Sequence, residues 1–112
     1  MDIRNEIKSI TDLGRMPDET DDSLSEELID SYSDALEKIK KPVNYQEAKA
    51  LVQIFPESGL YGIEWELLHL VESSLTKVSI EDYKEIISLC PSDEWRSNML
   101  IRFENWQKKP RT

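Results

Sequence analysis

One histidine, one cysteine and a crowd of carboxylates are the side chains of this 112-residue chain with which chemistry could be done. His69 follows Trp65 by four residues and precedes Glu72 by three, so on a helix the imidazole and the carboxylate share a face and the carboxylate could orient the ring. A general base also needs a nucleophile and a further polar group, and neither is assignable from the sequence. His69 is therefore expected to be structural or to face a partner, with Glu72 or a backbone carbonyl holding the imidazole inside the helical packing. Glu64 and Glu66 stand two apart and point to different sides of a helix, a poor arrangement for paired carboxylates. Cys90 precedes Pro91 at the expected end of a helix, where the dipole is negative and raises a thiol pKa, so a buried thiol is expected and not a reactive one. No catalytic set emerges, and the chain is expected not to be an enzyme.

The carboxylates are unevenly spread. Residues 1–40 hold 12 acids and 5 bases, net −7, whereas residues 41–112 hold 11 acids and 9 bases, net −2. Asp18, Glu19, Asp21, Asp22, Glu26, Glu27, Asp30 and Asp34 form the densest block. Such a block is a solvated, helix-capping face or a docking surface for a basic partner, whose approach it would steer. Asp22, Glu26, Asp30 and Asp34 recur every four residues and are the candidate partner-binding stripe of one helix. An EF-hand is excluded, because residues 18–30 lack the central glycine and the alternating oxygen ligands of that loop.

Composition excludes more. A net charge of −9 repels phosphate backbones, one histidine and one cysteine cannot build a zinc site, and three glycines leave no phosphate loop. No nucleic acid, metal or cofactor is expected. A single cysteine rules out an internal disulfide, no apolar run is long enough to span a membrane, and the first residues lack the layout of a secretory signal. A soluble cytoplasmic protein is expected.

These residues must be positioned by helices. Apolar spacing of three and four predicts six segments in a single all-α domain over residues 1–112, packed as antiparallel hairpins or a small irregular bundle. The first, Asp2 to Leu13, carries Ile3, Ile7 and Ile10 and stops at Gly14. A flexible acidic linker is expected over 14–22. Ser23 with Glu26 predicts a cap for a second helix from Leu24 to Lys40, and Asn44 with Glu47 for a third. The fourth, Leu60 to Ser73, is apolar around most of its circumference and is expected to be central, with Trp65 buried. Ser79 with Asp82 opens a fifth, ended by Pro91. Ser92 or Asp93 caps a sixth, along which Trp95, Met99, Phe103 and Trp106 recur as core or as a binding patch. No repeat of about 34 or 40 residues is visible, and residues 76–80 read as a short extended link.

Two stretches carry a resemblance. Gly62-Ile63-Glu64-Trp65-Glu66-Leu67-Leu68-His69-Leu70-Val71-Glu72, following Phe55-Pro56, resembles the centre of the immunity protein 30 type family, small immunity proteins of bacterial polymorphic-toxin and contact-dependent inhibition systems. Cys90-Pro91-Ser92-Asp93-Glu94-Trp95 and Ile101-Arg102-Phe103-Glu104-Asn105 resemble its closing segment. The resemblance spans about residues 44–107, and the acidic first 40 residues lie outside it. It implies a helical domain that binds and neutralises one cognate toxin domain in the cytoplasm by non-catalytic inhibition. Many such toxins are nucleases with basic clefts, to which an acidic protein is the physical complement. Gly62, Trp65, His69, Glu72, Trp95 and Arg102 are the matching positions and are expected to serve the fold. A small helical adaptor that binds a peptide or another protein in a groove is the competing class.

Overall fold

Local capping chemistry decides where the chain becomes helical. The computed structural model describes residues 3–108 and contains α1 (Asn5–Asp12), α2 (Glu26–Glu37), α3 (Tyr45–Val52), α4 (Ile63–Glu72), a short 3-10 turn (Ser73–Thr76), α5 (Ile80–Ser88) and α6 (Asp93–Lys108). Asn44 accepts from the Glu47 amide at 2.8 Å while the Glu47 carboxylate accepts from the Asn44 amide at 3.0 Å, closing the expected box at α3. Ser79 accepts from the Asp82 amide, and Ser92 from the Trp95 amide, each at 3.1 Å.

Two helix starts differ from expectation. Ser25, not Ser23, caps α2, accepting from the Leu28 amide at 3.1 Å. Ser23 is already engaged, because Asp21 accepts from both its amide and its hydroxyl, at 2.9 and 2.7 Å. The fourth helix begins at Ile63, since Tyr61 at φ 52° and Gly62 at φ 89° are left-handed and cannot continue a right-handed turn. Among the described residues there is no strand, and residues 76–80 run from the 3-10 turn through the Ser79 cap into α5.

The helices pair as three hairpins, α1–α2, α3–α4 and α5–α6, and the hairpins stack. Helices α1, α3 and α5 form one layer, α3 touching both others. Helices α2, α4 and α6 form the second: α4 packs on α2, and a ring contact and an ion pair carry it to α6. The core between the layers includes Ile10, Leu51, Phe55, Leu67, Val71 and Ile86, all excluded from solvent. The central place expected for the fourth helix is observed, with α2 and α6 on its flanks and α3 beneath.

Glu47 and Glu64 are drawn into this core. Glu47 is buried, and burial pushes its carboxyl pKa up. Bonds from the Arg4 guanidinium at 2.8 and 3.1 Å and from the Arg4 and Asn44 amides outweigh burial and leave it below the ordinary value. The pair ties the entrance of α1 to the first turn of α3. No described helix is long and apolar enough to cross a membrane.

Candidate functional site

The turn over residues 54–62 feeds α4 and organises what surrounds it. Backbone groups along this turn are taken by the segment expected to be a linker. Met16 and Glu19 amides donate to the Ile54 and Gly59 carbonyls, each at 2.9 Å, and the Asp18 carboxylate accepts from the Ser58 and Gly59 amides at 2.8 and 3.1 Å. Glu19 accepts from the Tyr61 amide at 2.9 Å, and buried Glu64 accepts from Leu60 and Gly62 amides at 2.7 and 3.1 Å. The Thr20 hydroxyl, followed by the Gly59 and Ser58 amides, lowers the Asp18 pKa from 3.8 to about 2. A Cβ on Gly59 would stand 3.0 Å from the Glu64 carboxylate and 3.3 Å from that of Glu19, tight contacts that would make these side chains shift by a few tenths of an ångström. From the other side, Ser92 donates to the Glu57 carbonyl at 2.6 Å and the Trp95 indole to the Ser58 carbonyl at 2.8 Å.

Beside that turn lies the seam between α2 and α4. Glu26, Asp30 and Asp34 are exposed on α2, and none has an ion pair among the described residues. Asp22 is exposed too but precedes the helix, so the expected four-residue stripe is three helical positions and one turn residue. Glu26 borders a hollow of about 370 Å³ with Glu19, Asp21, Leu24, Ile29 and Tyr61. Tyr61 is 64% exposed although its backbone is left-handed, a conformation uncommon for an aromatic residue. Further along the same seam, Glu37 and Lys41 face Glu66 and His69 across a smaller hollow of about 180 Å³.

The seam between α4 and α6 is of another kind. The Trp65 and Trp95 rings meet edge to face at 5.1 Å, and seven residues further along each helix Arg102 holds Glu72 through two bonds of 2.7 and 2.8 Å. The equal offset shows that α4 and α6 run parallel there. Trp95 also stacks on Phe55 at 5.5 Å and is buried, whereas Trp65 is 45% exposed. That corrects the expectation of a buried Trp65: its ring meets that of Trp95 nearly at a right angle and otherwise lies largely in solvent. Where the ion pair lies, a groove of about 780 Å³ opens between the 3-10 turn and the last turns of α6, with Tyr83 of α5 and the stacked Phe103 and Trp106 rings on its walls.

Four of the six resemblance positions are therefore brought together, as Trp65 with Trp95 and Glu72 with Arg102. Gly62 supplies the left-handed entry to α4. His69 is exposed and Glu72 is committed to Arg102, which corrects the expected imidazole–carboxylate contact inside the packing. Cys90 is buried as expected, and burial pushes its thiol pKa up. The roles of Glu64 and Tyr61 escaped sequence reasoning. A glutamate two residues after a glycine, at the entrance of an apolar helix, was the one available signal for the first. Among the described residues no group of three or more histidine, cysteine or acidic side chains is placed to hold a metal ion. No family model, curated protein or solved structure gives a match to the chain.

Proposed function

We propose that the chain is an immunity-type inhibitor that binds one cognate bacterial toxin domain and neutralises it without catalysis. The observation that carries this reading is the exposed run Glu26, Asp30 and Asp34, free of ion pairs among the described residues, beside the solvent-facing ring of Tyr61. Unpaired carboxylates on one helix attract a basic surface over several ångströms and orient its approach. Tyr61, ringed by Glu19, Asp21 and Glu26, offers a face to a lysine or arginine of that surface, where cation–π attraction adds to the charge. Asp22 contributes to the same field from the preceding turn. The resemblance of residues 44–107 to immunity proteins supports the same class, and a toxin with a basic nuclease cleft fits the charge.

Co-expression with the toxin domain encoded next to this chain's gene tests the reading. Restored growth together with a co-purifying complex is expected, and growth arrest that persists at equal expression would refute it. A second reading, a helical adaptor, is favoured by the aromatic groove beside Tyr83, and in the same experiment an adaptor leaves the toxin active.

A further inference from the structure

Seven of the nine Phe, Trp and Tyr side chains are buried or half-buried, whereas Tyr61 is 64% and Trp65 45% exposed. These two stand four residues apart at the entrance of α4. Along that helix Trp65, Glu66 and His69 are exposed and the other residues from Ile63 to Val71 are buried, so the central helix turns one narrow strip outward. Carboxylates accompany the strip. Glu26 borders the hollow at Tyr61, and Glu37 and Glu66 border the one at His69. Glu26 and Glu37 are the two ends of α2, so acid follows the rings for about 16 Å. Lys41 is a cation at the His69 end, and on the α6 side Arg102 is taken up by Glu72.

Ring faces beside carboxylates that make no ion pair among the described residues suit a guanidinium better than an ammonium. A guanidinium is planar and weakly hydrated, stacks on an indole or phenol, and keeps its edge N–H groups for a carboxylate. The same carboxylates repel a phosphate chain. A second copy has no arginine to offer from the described residues, because Arg4, Arg15, Arg96 and Arg102 are each bonded to a carboxylate of their own chain.

We propose that the outward strip of α4 anchors arginine side chains of a partner protein, Tyr61 and Trp65 each taking the face of a guanidinium while Glu26 and Glu66 accept from its edge. The inference deepens the neutralising reading by naming the basic side chain of the toxin that is held, and it rests on that reading for the partner's identity. The α2 carboxylates then govern approach, and the α4 strip governs release.

Acetyl-tetraarginine amide and acetyl-tetralysine amide carry equal charge and test the strip without a toxin. Titrated into the whole chain and followed by indole and amide NMR shifts, the arginine peptide is expected to bind roughly three- to tenfold more tightly and to move the Trp65 indole signal. Tyr61→Asn, which suits a left-handed backbone, combined with Trp65→Leu should bring the arginine peptide down to the affinity of the lysine peptide and leave the latter unchanged. Tyr61→Asn alone replaces a side chain that is mostly in water, so the fold should persist while part of the preference is lost. Equal affinities for the parent, or a preference that survives these substitutions, would overturn the proposal. Shifts at Tyr61 and Trp65 on concentrating the chain alone would assign the strip to a second copy and overturn it equally. With the toxin domain encoded next to this chain's gene, the double variant should dissociate about tenfold faster at a nearly unchanged association rate, and an unchanged dissociation rate would again overturn it. A parent chain that neutralises the toxin without preferring arginine overturns this inference and leaves the neutralising reading in place. A parent chain that prefers arginine yet fails to neutralise refutes that reading and leaves the strip an arginine site for another partner.

Discussion

Helix α4 has a different neighbour on each flank, and the two seams handle charge in opposite ways. Toward α2 the carboxylates of Glu26, Asp30 and Asp34 are exposed without ion pairs among the described residues, and they hold no element of the fold in place. Toward α6 the charges of Glu72 and Arg102 are consumed by one another, and two indole rings make a further contact. The first arrangement influences how another molecule approaches, because long-range attraction acts before contact. The second determines how firmly the domain is held. A net charge of −9 therefore says little about what holds the chain together, since part of its excess lies in exposed α2 carboxylates that make no ion pair among the described residues.

The sharpest way to break this contrast is through the two indoles that meet between α4 and α6. Trp95→Ala empties a buried site and removes the hydrogen bond to Ser58, so a loss of about 3–5 kcal/mol is expected in chemical denaturation. Trp65→Ala should cost less than half as much, because nearly half of that side chain is already in water; equal losses would place both rings in the core. On the other flank, lysine at positions 22, 26, 30 and 34 together should slow association with a cognate basic toxin by about tenfold or more at low salt. The denaturation midpoint should stay where it is. The kinetic difference should fade toward 1 M salt, where the screening length is only about 3 Å; a salt-independent rate would detach the acidic flank from recognition.

Smaller effects refine the picture. Arg102→Met breaks an ion pair whose members are 41% and 23% exposed, so solvent screening limits the expected loss to about 1 kcal/mol. A loss several times larger would mean that the pair behaves as a buried one. Asp18 gives a pH signature. Its pKa is lower in the folded chain, about 2 against an ordinary 3.8, so its contribution is complete above the higher value and disappears as pH falls through the lower one. Unfolding followed between pH 5 and pH 1.5 should show that acid-side loss, and Asp18→Asn should flatten it; an unchanged profile in the variant would show that other carboxylates account for acid sensitivity.

What the sequence made legible was largely local. Asn44 with Glu47, Ser79 with the Asp82 amide and Ser92 with the Trp95 amide act over three residues, a distance at which residue type and spacing suffice. The α2 cap was misplaced by two residues because Asp21 competes for Ser23, a contest between two local rules that spacing does not decide. Trp65 was misassigned because helical period orders positions around one helix and is silent on where the neighbouring helices stop. The stacking of hairpins was hidden for a related reason: α1, α3 and α5 begin at residues 5, 45 and 80, and connections of unequal length erase a fixed period. At the site, Arg102 with Glu72 and Asp18 with Ser58 are partnerships across 30 and 40 residues, which no local pattern announces.

The 54–62 turn has a further consequence, for the order of folding. Arg15, Asp18 and Glu19 reach it across 40 to 42 residues from one side, and Ser92 and Trp95 across 35 to 37 from the other. Each of these contacts must close a long loop, at an entropic cost that the short-range helix bonds do not carry. Helix hairpins made of local contacts form quickly, whereas the turn that joins them is completed only when both distant arms arrive. The domain should accordingly refold more slowly than a simple helical bundle of its length, and substitutions at Asp18 or Ser92 should accelerate unfolding more than they retard folding, as expected of contacts made after the rate-limiting step.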